Sequence, residues 1–294
     1  MKRKGPTVRD RVVQKALVNV IEPILDHTFH DRSFGFRHGR SCRDALRIVE
    51  QKLSDGNVWV VDADLKGFSS RSNAGSVEGA GKYFRAAART TRPRRFDSIP
   101  KDRLLKLVKE SISDSRVLSL IGQFLDQSIL EELHEWTPEA GVPQGAVLSP
   151  VLSNVYLNPL DHLMDEDGFE MVRYADDRRG RVVGSRRPAK LLKNSSDRLA
   201  EMFHPWWVIL CRSEFEAEVA LEVVREWVEQ AGLTLHPTKS KIVDSRVESF
   251  QFLGYSFRGE QIHPRSGSLT KLKDTIRKKS PRNSGILWSS RFRA

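Results

Sequence analysis

The sequence predicts an α+β fold centred on a split β-α-β-β-α-β unit, with its first strand beside a central hairpin in an antiparallel sheet and helices on one face. Three observations lead to this prediction. The run "VWVVDADL" at 58–65 is a short valine-rich stretch between turn residues, which is typical of a buried strand. Helical spacing recurs at about 148–165 and at 213–231, where Gly232 should end the second helix. Further strand patterns occur, in the order that the unit requires, at 169–175, 207–211 and 241–244.

Amphipathic helices are predicted on both sides of the first strand. From Val12 onward the apolar residues recur in pairs four apart, and Pro23 should kink or end this helix. A second helix should begin after Ser41 as its N-cap and stop at Gly56. Further along the chain two more helices are expected, the first of them capped by Ser98.

Length and composition indicate a globular protein of one large or two modest domains. The chain has 294 residues, of which 39% are hydrophobic, and its mean hydropathy is −0.46. Its apolar runs are much shorter than the ~18 residues that a membrane helix needs, and no secretory signal is recognisable, so we expect a cytoplasmic protein without a membrane partner. Cys42 and Cys211 lack metal-site spacing and are expected to be free thiols.

The positive charge is concentrated in two segments. The whole chain carries +11, while residues 69–95 and residues 178–206 carry +6 each, so the rest of the chain is close to neutral. Both segments lack helical or strand periodicity over most of their length. A basic balance of this size favours a polyanionic partner such as nucleic acid.

Carboxylates follow two strands of the predicted sheet. Asp64 ends the first strand, and Asp176 and Asp177 close the strand at 169–175, which the split topology places nearby. Like charges at close range destabilise each other unless a cation neutralises them, and carboxylate oxygens suit Mg²⁺. Two such ions can activate a hydroxyl and steady a leaving pyrophosphate, so the pattern fits nucleotidyl transfer. An isolated Asp-Asp pair, by contrast, is more often a polar turn.

Specific motifs resemble those of group II intron reverse transcriptases, also called maturases. "VVDADLKGF" at 60–68, "GVPQGAVLSPVLSNVYLNPLD" at 141–161 and "RYADD" at 173–177 are similar to motifs A, B and C of reverse transcriptases. Two further stretches are similar to the fingers of the family: "GPTVRDRVVQKAL" at 5–17 and "SFGFRHGRSCRDAL" at 33–46. "GLTLHPTKSKIVD" at 232–244 and "FQFLGYSF" at 250–257 extend the likeness to about 240 residues.

The resemblance implies a reverse-transcriptase fingers and palm fold. Residues 1–56 would be partial fingers, 57–258 the palm, and 259–294 a thumb stub and tail, so the chain would be truncated at both ends relative to the family. The implied activity is RNA-directed DNA polymerisation with two Mg²⁺ ions. The partners would be template or group II intron RNA, a DNA primer and deoxynucleoside triphosphates.

The same resemblance assigns candidate site residues. Metal ligands fall on Asp64, Asp176, Asp177 and the carbonyl of Leu65, with Asp62 a weaker candidate that more often has a capping or ion-pair role. The other candidates would contact the nucleotide or template, and they are Phe68, Phe96, Gln144, Gly145, Lys239, Arg9, Arg11, Arg37 and Arg40. Lys241 is an alternative to Lys239, Phe68 or Phe96 would lie beside the sugar, and for each arginine a surface ion pair is equally expected.

The two basic segments interrupt the family pattern. Motif A breaks after Phe68 and resumes at "FDSIP" from Phe96, and motif C breaks after Asp177 and resumes at "WVILCRSE" from Trp207. In one interpretation the segments lie aside, the palm assembles and the arginines add RNA affinity. In the other, which we favour, the polymerase is inactive or the segments are absent from the working protein. The chain would then be a noncatalytic RNA-binding remnant that assists intron RNA folding, or would become a polymerase once the segments are removed.

Overall fold

The computed structural model describes residues 7–65, 99–126, 129–131, 134–136, 147–176 and 204–279. Within this part of the chain the helices are α1 (Val8–Asp26), α2 (Cys42–Ser54), α3 (Lys101–Ser111), α4 (Ser115–Leu125), α5 (Ser149–Glu166), α6 (Glu214–Gln230) and α7 (Ser266–Lys279). None of these helices combines the length and the apolar character that a membrane crossing requires.

The strands form a central sheet and two small ones. They are β1 (Trp59–Ala63), β2 (Ile129–Glu131), β3 (His134–Trp136), β4 (Glu170–Asp176), β5 (His204–Cys211), β6 (Lys241–Asp244), β7 (Phe250–Phe252), β8 (Tyr255–Arg258) and β9 (Gln261–Pro264). The central sheet has the order β4-β5-β1-β6, and every neighbouring pair in it is antiparallel. The α+β fold with its split β-α-β-β-α-β palm is therefore confirmed.

Both faces of the central sheet are covered, each by different elements. On one face Val61 and Ala63 join a buried cluster with α1 and α3–α6. On the other face Val60 and Val243 pack with α2 and with aromatic residues of β7 and β8, including Phe250. The prediction of helices on one face alone was wrong, because α2 and the β7-β8-β9 sheet bury the second face. Strands of three or four residues, such as these, carry too little period to be found by pattern.

Two of the predicted helix ends are confirmed. Ser41 caps α2 in a capping box, in which its side chain accepts from the Asp44 amide and the Asp44 carboxylate accepts from the Ser41 amide. Gly232, at φ +69°, follows α6, and Leu233 N donates to Val228 O at 2.8 Å in a Schellman arrangement. The expected cap Ser98 lies outside the described residues, and α3 begins after Pro100 with no side-chain cap.

Helix α1 differs from its prediction in two ways. Pro23 lies inside the helix, which continues to Asp26, so of the two predicted outcomes, a kink or an end, the end at the proline does not occur. The helix buries Leu17 and Ile21, but Val12 and Val20 of the predicted stripe are 64% and 61% exposed. The apolar pattern of α1 therefore runs round the helix and marks more than the buried face.

The two cysteines are free thiols in opposite environments. Cys42 is exposed at the start of α2, whereas Cys211 is fully buried at the end of β5. Burial raises the pKa of the Cys211 thiol to about 12, and the nearby Glu216 carboxylate acts in the same direction. Only the thiolate is nucleophilic, so the fold protects Cys211 in two ways. Burial keeps reagents away from the sulfur, and the raised pKa keeps the thiol protonated.

We expect a thiol reagent such as DTNB at pH 8 to label one cysteine per native chain and two in denaturant. Cys42→Ser should abolish labelling of the native chain, since Cys211 stays protonated and inaccessible. Cys211→Ser should leave the native stoichiometry at one. Rapid labelling of two thiols in the native protein would contradict the buried position of β5.

Candidate active site

Asp64 follows β1 and is buried against the loop 235–240, which comes much later in the chain. Its side chain is 9% exposed, and Lys239 Nζ lies 3.3 Å from its Oδ2. Leu65, the next residue, forms an isolated antiparallel bridge with Leu235. The ion pair offsets part of the free energy lost on taking a carboxylate out of water. The structure thus brings together two of the predicted site residues, Asp64 and Lys239, which are far apart in the chain.

Asp62 shows how strongly carboxylates are crowded at this end of β1. Burial and, after it, the Asp64 carboxylate raise its pKa to about 6, against the opposing effect of Lys241. Lys241 itself forms an ion pair with Glu248, at 2.6 Å. Of the two lysines that the sequence left open, Lys239 is therefore the one paired with Asp64.

Asp176 is the last residue of β4 and lies at the same end of the sheet as Asp64. Strand β5 separates the two, because Ala63 pairs with Trp207 and Trp207 pairs with Arg173. Beyond that level the ladder between β4 and β5 continues for three more pairs and ends at Asp176 and His204. Asp64 lies one residue past the level of Trp207, and Asp176 lies three residues past it. Their main chains are therefore offset by two residues, or ~7 Å along the strands.

The start of β5 corrects the predicted strand boundary. The strand was expected from residue 207, but it begins at His204, inside the segment that interrupts motif C. Residues 204–206 pair with Tyr174, Ala175 and Asp176, which extends the hairpin past the level where the family motif would turn. If Asp177 were joined directly to Trp207, the Arg173–Trp207 pair would be closed by the four residues 174–177, a common hairpin loop length.

Strand β4 is anchored by a buried arginine. Arg173 is 1% exposed, and its Nε and Nη2 donate to Asp161 Oδ1 and Oδ2 of α5 at 2.8 and 2.6 Å. Nη1 donates to Asn154 Oδ1 at 2.8 Å and Nη2 to Ser33 Oγ at 2.7 Å. A bidentate arginine–carboxylate pair with further polar partners satisfies a buried charge.

The same arginine ties the fingers segment to the palm through its main chain. Arg173 N donates to Arg32 O at 3.0 Å, and Phe34 N donates to Arg173 O at 2.9 Å. Asn154 Nδ2 donates to Gly35 O at 2.8 Å. Residues 32–35, helix α5 and strand β4 are therefore held as one unit, three residues before Asp176.

Two of the predicted fingers arginines have internal partners. Arg37 is buried and donates to Asp26 Oδ1 at 2.6 Å, to Ser33 O at 3.0 Å and to His30 O at 2.6 Å. Arg40 forms an ion pair with the exposed Asp31 at 2.6 Å. The Arg40 guanidinium holds the pKa of the Asp31 carboxyl below its usual value. The structural alternative to phosphate contact is thus observed for both, and template contact by either stays a prediction.

The other predicted site residues divide into two groups. Arg9 and Arg11 are exposed on the first turn of α1, where their contact with nucleic acid stays a prediction. Five more predicted site residues lie outside the described part of the chain: Asp177, Phe68, Phe96, Gln144 and Gly145. In the described part of the chain, no group of three or more histidine, cysteine or acidic side chains is arranged to hold a metal ion.

Sequence reasoning missed the residues that hold Asp64 and β4 in place. Arg173 was part of the quoted "RYADD" motif, and a charge inside an apolar strand could have indicated a buried partner. Asp161 and Asn154, which supply that partner network, both lie on α5, and neither gives a separate signal in the sequence. Ser240 donates to the Asp64 main chain, but only its neighbour Lys239 was recognised.

Comparison with known proteins supports the family resemblance. A family profile described as reverse transcriptase (RNA-dependent DNA polymerase) matches residues 94–202. A 91 kDa protein in a cob intron of Schizosaccharomyces pombe is 28% identical over 276 residues, which cover 84% of this chain and 31% of that protein. The group II intron-encoded protein LtrA of Lactococcus lactis is 32% identical over 156 residues, 53% of this chain and 21% of LtrA.

These matches support a group II intron reverse transcriptase or maturase. Nuclear intron maturase 2 of Arabidopsis thaliana is another relative, 30% identical over 176 residues that cover 53% of this chain and 23% of the maturase. The chain spans about a third or less of the length of these curated relatives.

Among solved structures, a telomerase from Candida albicans superposes on this reverse transcriptase-family chain with a TM-score of 0.47 and 12% identity. The match covers 88% of this chain and 39% of the telomerase. The family assignment rests on the sequence relatives, and the fold class on the observed helices and antiparallel sheet.

Removing Asp161 should destabilise the fold strongly. Asp161→Ala leaves the guanidinium of Arg173 buried without its counterion, so we expect the free energy of unfolding to fall by about 3–5 kcal/mol. Urea unfolding followed by circular dichroism measures the change. Glu222→Ala is the control, because Glu222 and its partner Arg225 are 54% and 56% exposed and such pairs contribute at most about 1 kcal/mol. Equal effects of the two substitutions would contradict the anchoring role of the buried pair.

Proposed function

We propose that this chain carries the palm of an RNA-directed DNA polymerase of the group II intron maturase type. Asp64, Asp176 and Asp177 would hold two Mg²⁺ ions for nucleotidyl transfer. The observation that carries the proposal is the position of Asp64, buried at the end of β1, paired with Lys239 and at the same end of the sheet as Asp176.

The donor set at this position fits a divalent cation. Asp64 supplies a hard carboxylate oxygen, and the Leu65 carbonyl is the expected further ligand. Burial is the main cause of the raised pKa of Asp62, and the Asp64 carboxylate adds to it, so the two carboxyl groups lie close enough to repel each other. A cation at this place would relieve the repulsion. When bound, Mg²⁺ supplies activation of a primer hydroxyl and stabilisation of the leaving pyrophosphate.

Other residues of the chain would bind and orient the substrates. The Lys239 ammonium, 37% exposed beside Asp64, is placed to bind a phosphate of the incoming deoxynucleoside triphosphate. Gln144 and Gly145 would pack against the template and nucleotide, and Phe68 or Phe96 against the sugar. Arg9 and Arg11, exposed on α1, would contact phosphates of template or group II intron RNA.

The second candidate function is noncatalytic RNA binding by a maturase remnant. It is favoured by the extension of the β4–β5 ladder, which offsets Asp176 from Asp64 by two residues. The basic segments 69–95 and 178–206, which carry +6 each, would supply the affinity for RNA without a working metal site. The two candidates differ in whether Asp64 has any role in what the protein does.

Primer extension on poly(rA)/oligo(dT) with Mg²⁺ tests the catalytic proposal. We expect a chain without residues 69–95 and 178–206 to incorporate dTMP, because joining Asp177 to Trp207 closes β4 and β5 by a short loop. The full chain should be about 100-fold slower, since moving a catalytic group by ~1 Å already has an effect of that size. In the shortened chain Asp64→Asn or Asp176→Ala should lower the rate at least about 100-fold.

The control for this assay is Asp165→Asn, since Asp165 is half exposed on α5 and pairs with Arg32. Equal rates for the full and shortened chains would show that the longer ladder is no obstacle. No incorporation by either chain would overturn the polymerase proposal and leave noncatalytic RNA binding.

The salt dependence of RNA binding tests the role of the basic segments. Plotted as the logarithm of affinity against the logarithm of salt concentration, the slope for single-stranded RNA changes by about 0.7 per phosphate contact. We expect the full chain to have a steeper slope than the chain without 69–95 and 178–206, measured by fluorescence anisotropy with a short RNA. Asp64→Asn should leave the slope unchanged. Identical slopes for the two chains would mean that the segments do not contact RNA.

A further inference from the structure

The loop 235–240 encloses the main chain of Asp64. Leu235 bridges Leu65, and His236 N donates to Asp64 O at 2.6 Å. Ser240 Oγ accepts from Asp64 N at 3.2 Å and donates to Asp64 O at 3.3 Å. Both main-chain polar groups of Asp64 therefore have partners in this one loop.

The hydroxyl of Ser240 is the element that joins the two sides of Asp64. A hydroxyl has one proton to donate and lone pairs to accept, so it can make both bonds at once. The amide of Asp64 belongs to the peptide plane before its Cα, and the carbonyl belongs to the plane after it. Holding both planes sets the direction of the Cα–Cβ bond and hence of the carboxylate.

The same loop also reaches the side chain of Asp64. Lys239, which precedes Ser240, places its Nζ 3.3 Å from Asp64 Oδ2. The loop is closed on itself, because Ser240 N donates to His236 O at 3.2 Å. Two consecutive residues thus contact the main chain and the carboxylate of one aspartate, which couples the position of the lysine to that of the carboxylate.

We propose that Ser240 is a positioning residue, whose hydroxyl aims the Asp64 carboxylate and keeps it in register with Lys239. The inference rests on the proposed role of Asp64 as a ligand of a divalent cation. Ligand groups must be held within about 0.5 Å of their working geometry, which main-chain bonds to a neighbouring loop achieve better than solvent. Ser240 itself touches neither substrate nor metal in this proposal.

Direct binding of Mn²⁺ to the full chain, followed by electron paramagnetic resonance, tests the proposal without relying on activity. We expect Ser240→Ala to weaken the Asp64-dependent Mn²⁺ affinity about tenfold, the lower end of the 10- to 100-fold range seen for partners that orient metal ligands. Ser240→Thr, which keeps the hydroxyl, should stay within about twofold of the natural chain. Asp64→Asn identifies which part of the binding belongs to this site.

Ser268→Ala is the matched control for a structural effect. Ser268 Oγ donates to Gly254 O at 3.1 Å, a hydroxyl bond to main chain away from the site. Thermal unfolding without metal should change to a similar small extent in both alanine variants, while only Ser240→Ala changes the Mn²⁺ affinity. A lower melting temperature for Ser240→Ala with unchanged Mn²⁺ affinity would mean that Ser240 only stabilises the loop, and it would overturn the inference.

The outcomes separate this inference from the proposed function. Mn²⁺ binding that depends on Asp64 but not on Ser240 overturns the positioning role and leaves the metal site standing. Mn²⁺ binding that is absent, or unchanged in Asp64→Asn, overturns the metal role of Asp64 and the inference with it.

Discussion

The buried ion pair between Arg173 and Asp161 is the interaction on which the arrangement of the palm depends. Arg173 comes from β4 and Asp161 from α5, and Asn154 and Ser33 complete the partners of the guanidinium. An arginine at 1% exposure is stable only if all of these partners are present together. The fingers segment, the helix after motif B and the strand of motif C are thereby fixed relative to one another.

From this anchor the position of the proposed site follows by register. Arg173 lies opposite Trp207, and Trp207 lies opposite Ala63, so three strands are aligned at one level. Asp64 is the first residue past that level, and its main chain forms hydrogen bonds with the loop 235–240. The geometry of β1 at Asp64 is therefore set from both sides, by the ladder behind it and by the loop in front.

Sequence patterns predicted the elements that are long or buried on both faces. The strand at 58–65 and the helix ended by Gly232 were found because apolar runs and glycine caps are local signals. The outer face of α1 misled the same reasoning, since Val12 and Val20 are apolar but exposed. The β7-β8-β9 sheet was missed because its strands are short, and their pairing is decided by contacts with distant parts of the chain.

The candidate site was predictable in its carboxylates and not in its supports. The positions of Asp64 and Asp176 at one end of the sheet could be predicted because both follow strand patterns, and their role as metal ligands stays a prediction. Arg37 shows the limit of such reasoning, because an arginine in a fingers motif proves to be bound internally to Asp26, His30 and Ser33. Ser240 shows the opposite limit: a serine has no sequence signal for a bond that joins residues 176 positions apart.

The interruption of motif C shows that the fold and the site tolerate insertion differently. A longer loop changes chain entropy only as the logarithm of its length, and three added cross-strand pairs lengthen the ladder between β4 and β5. The sheet can therefore keep Arg173 opposite Trp207 whether or not residues 178–206 are present. The last of these pairs holds Asp176 in the extended strand, three residues past the level of Arg173 and two past that of Asp64. An insertion that changes loop entropy little therefore bears directly on the proposed metal site, which depends on the offset between Asp176 and Asp64.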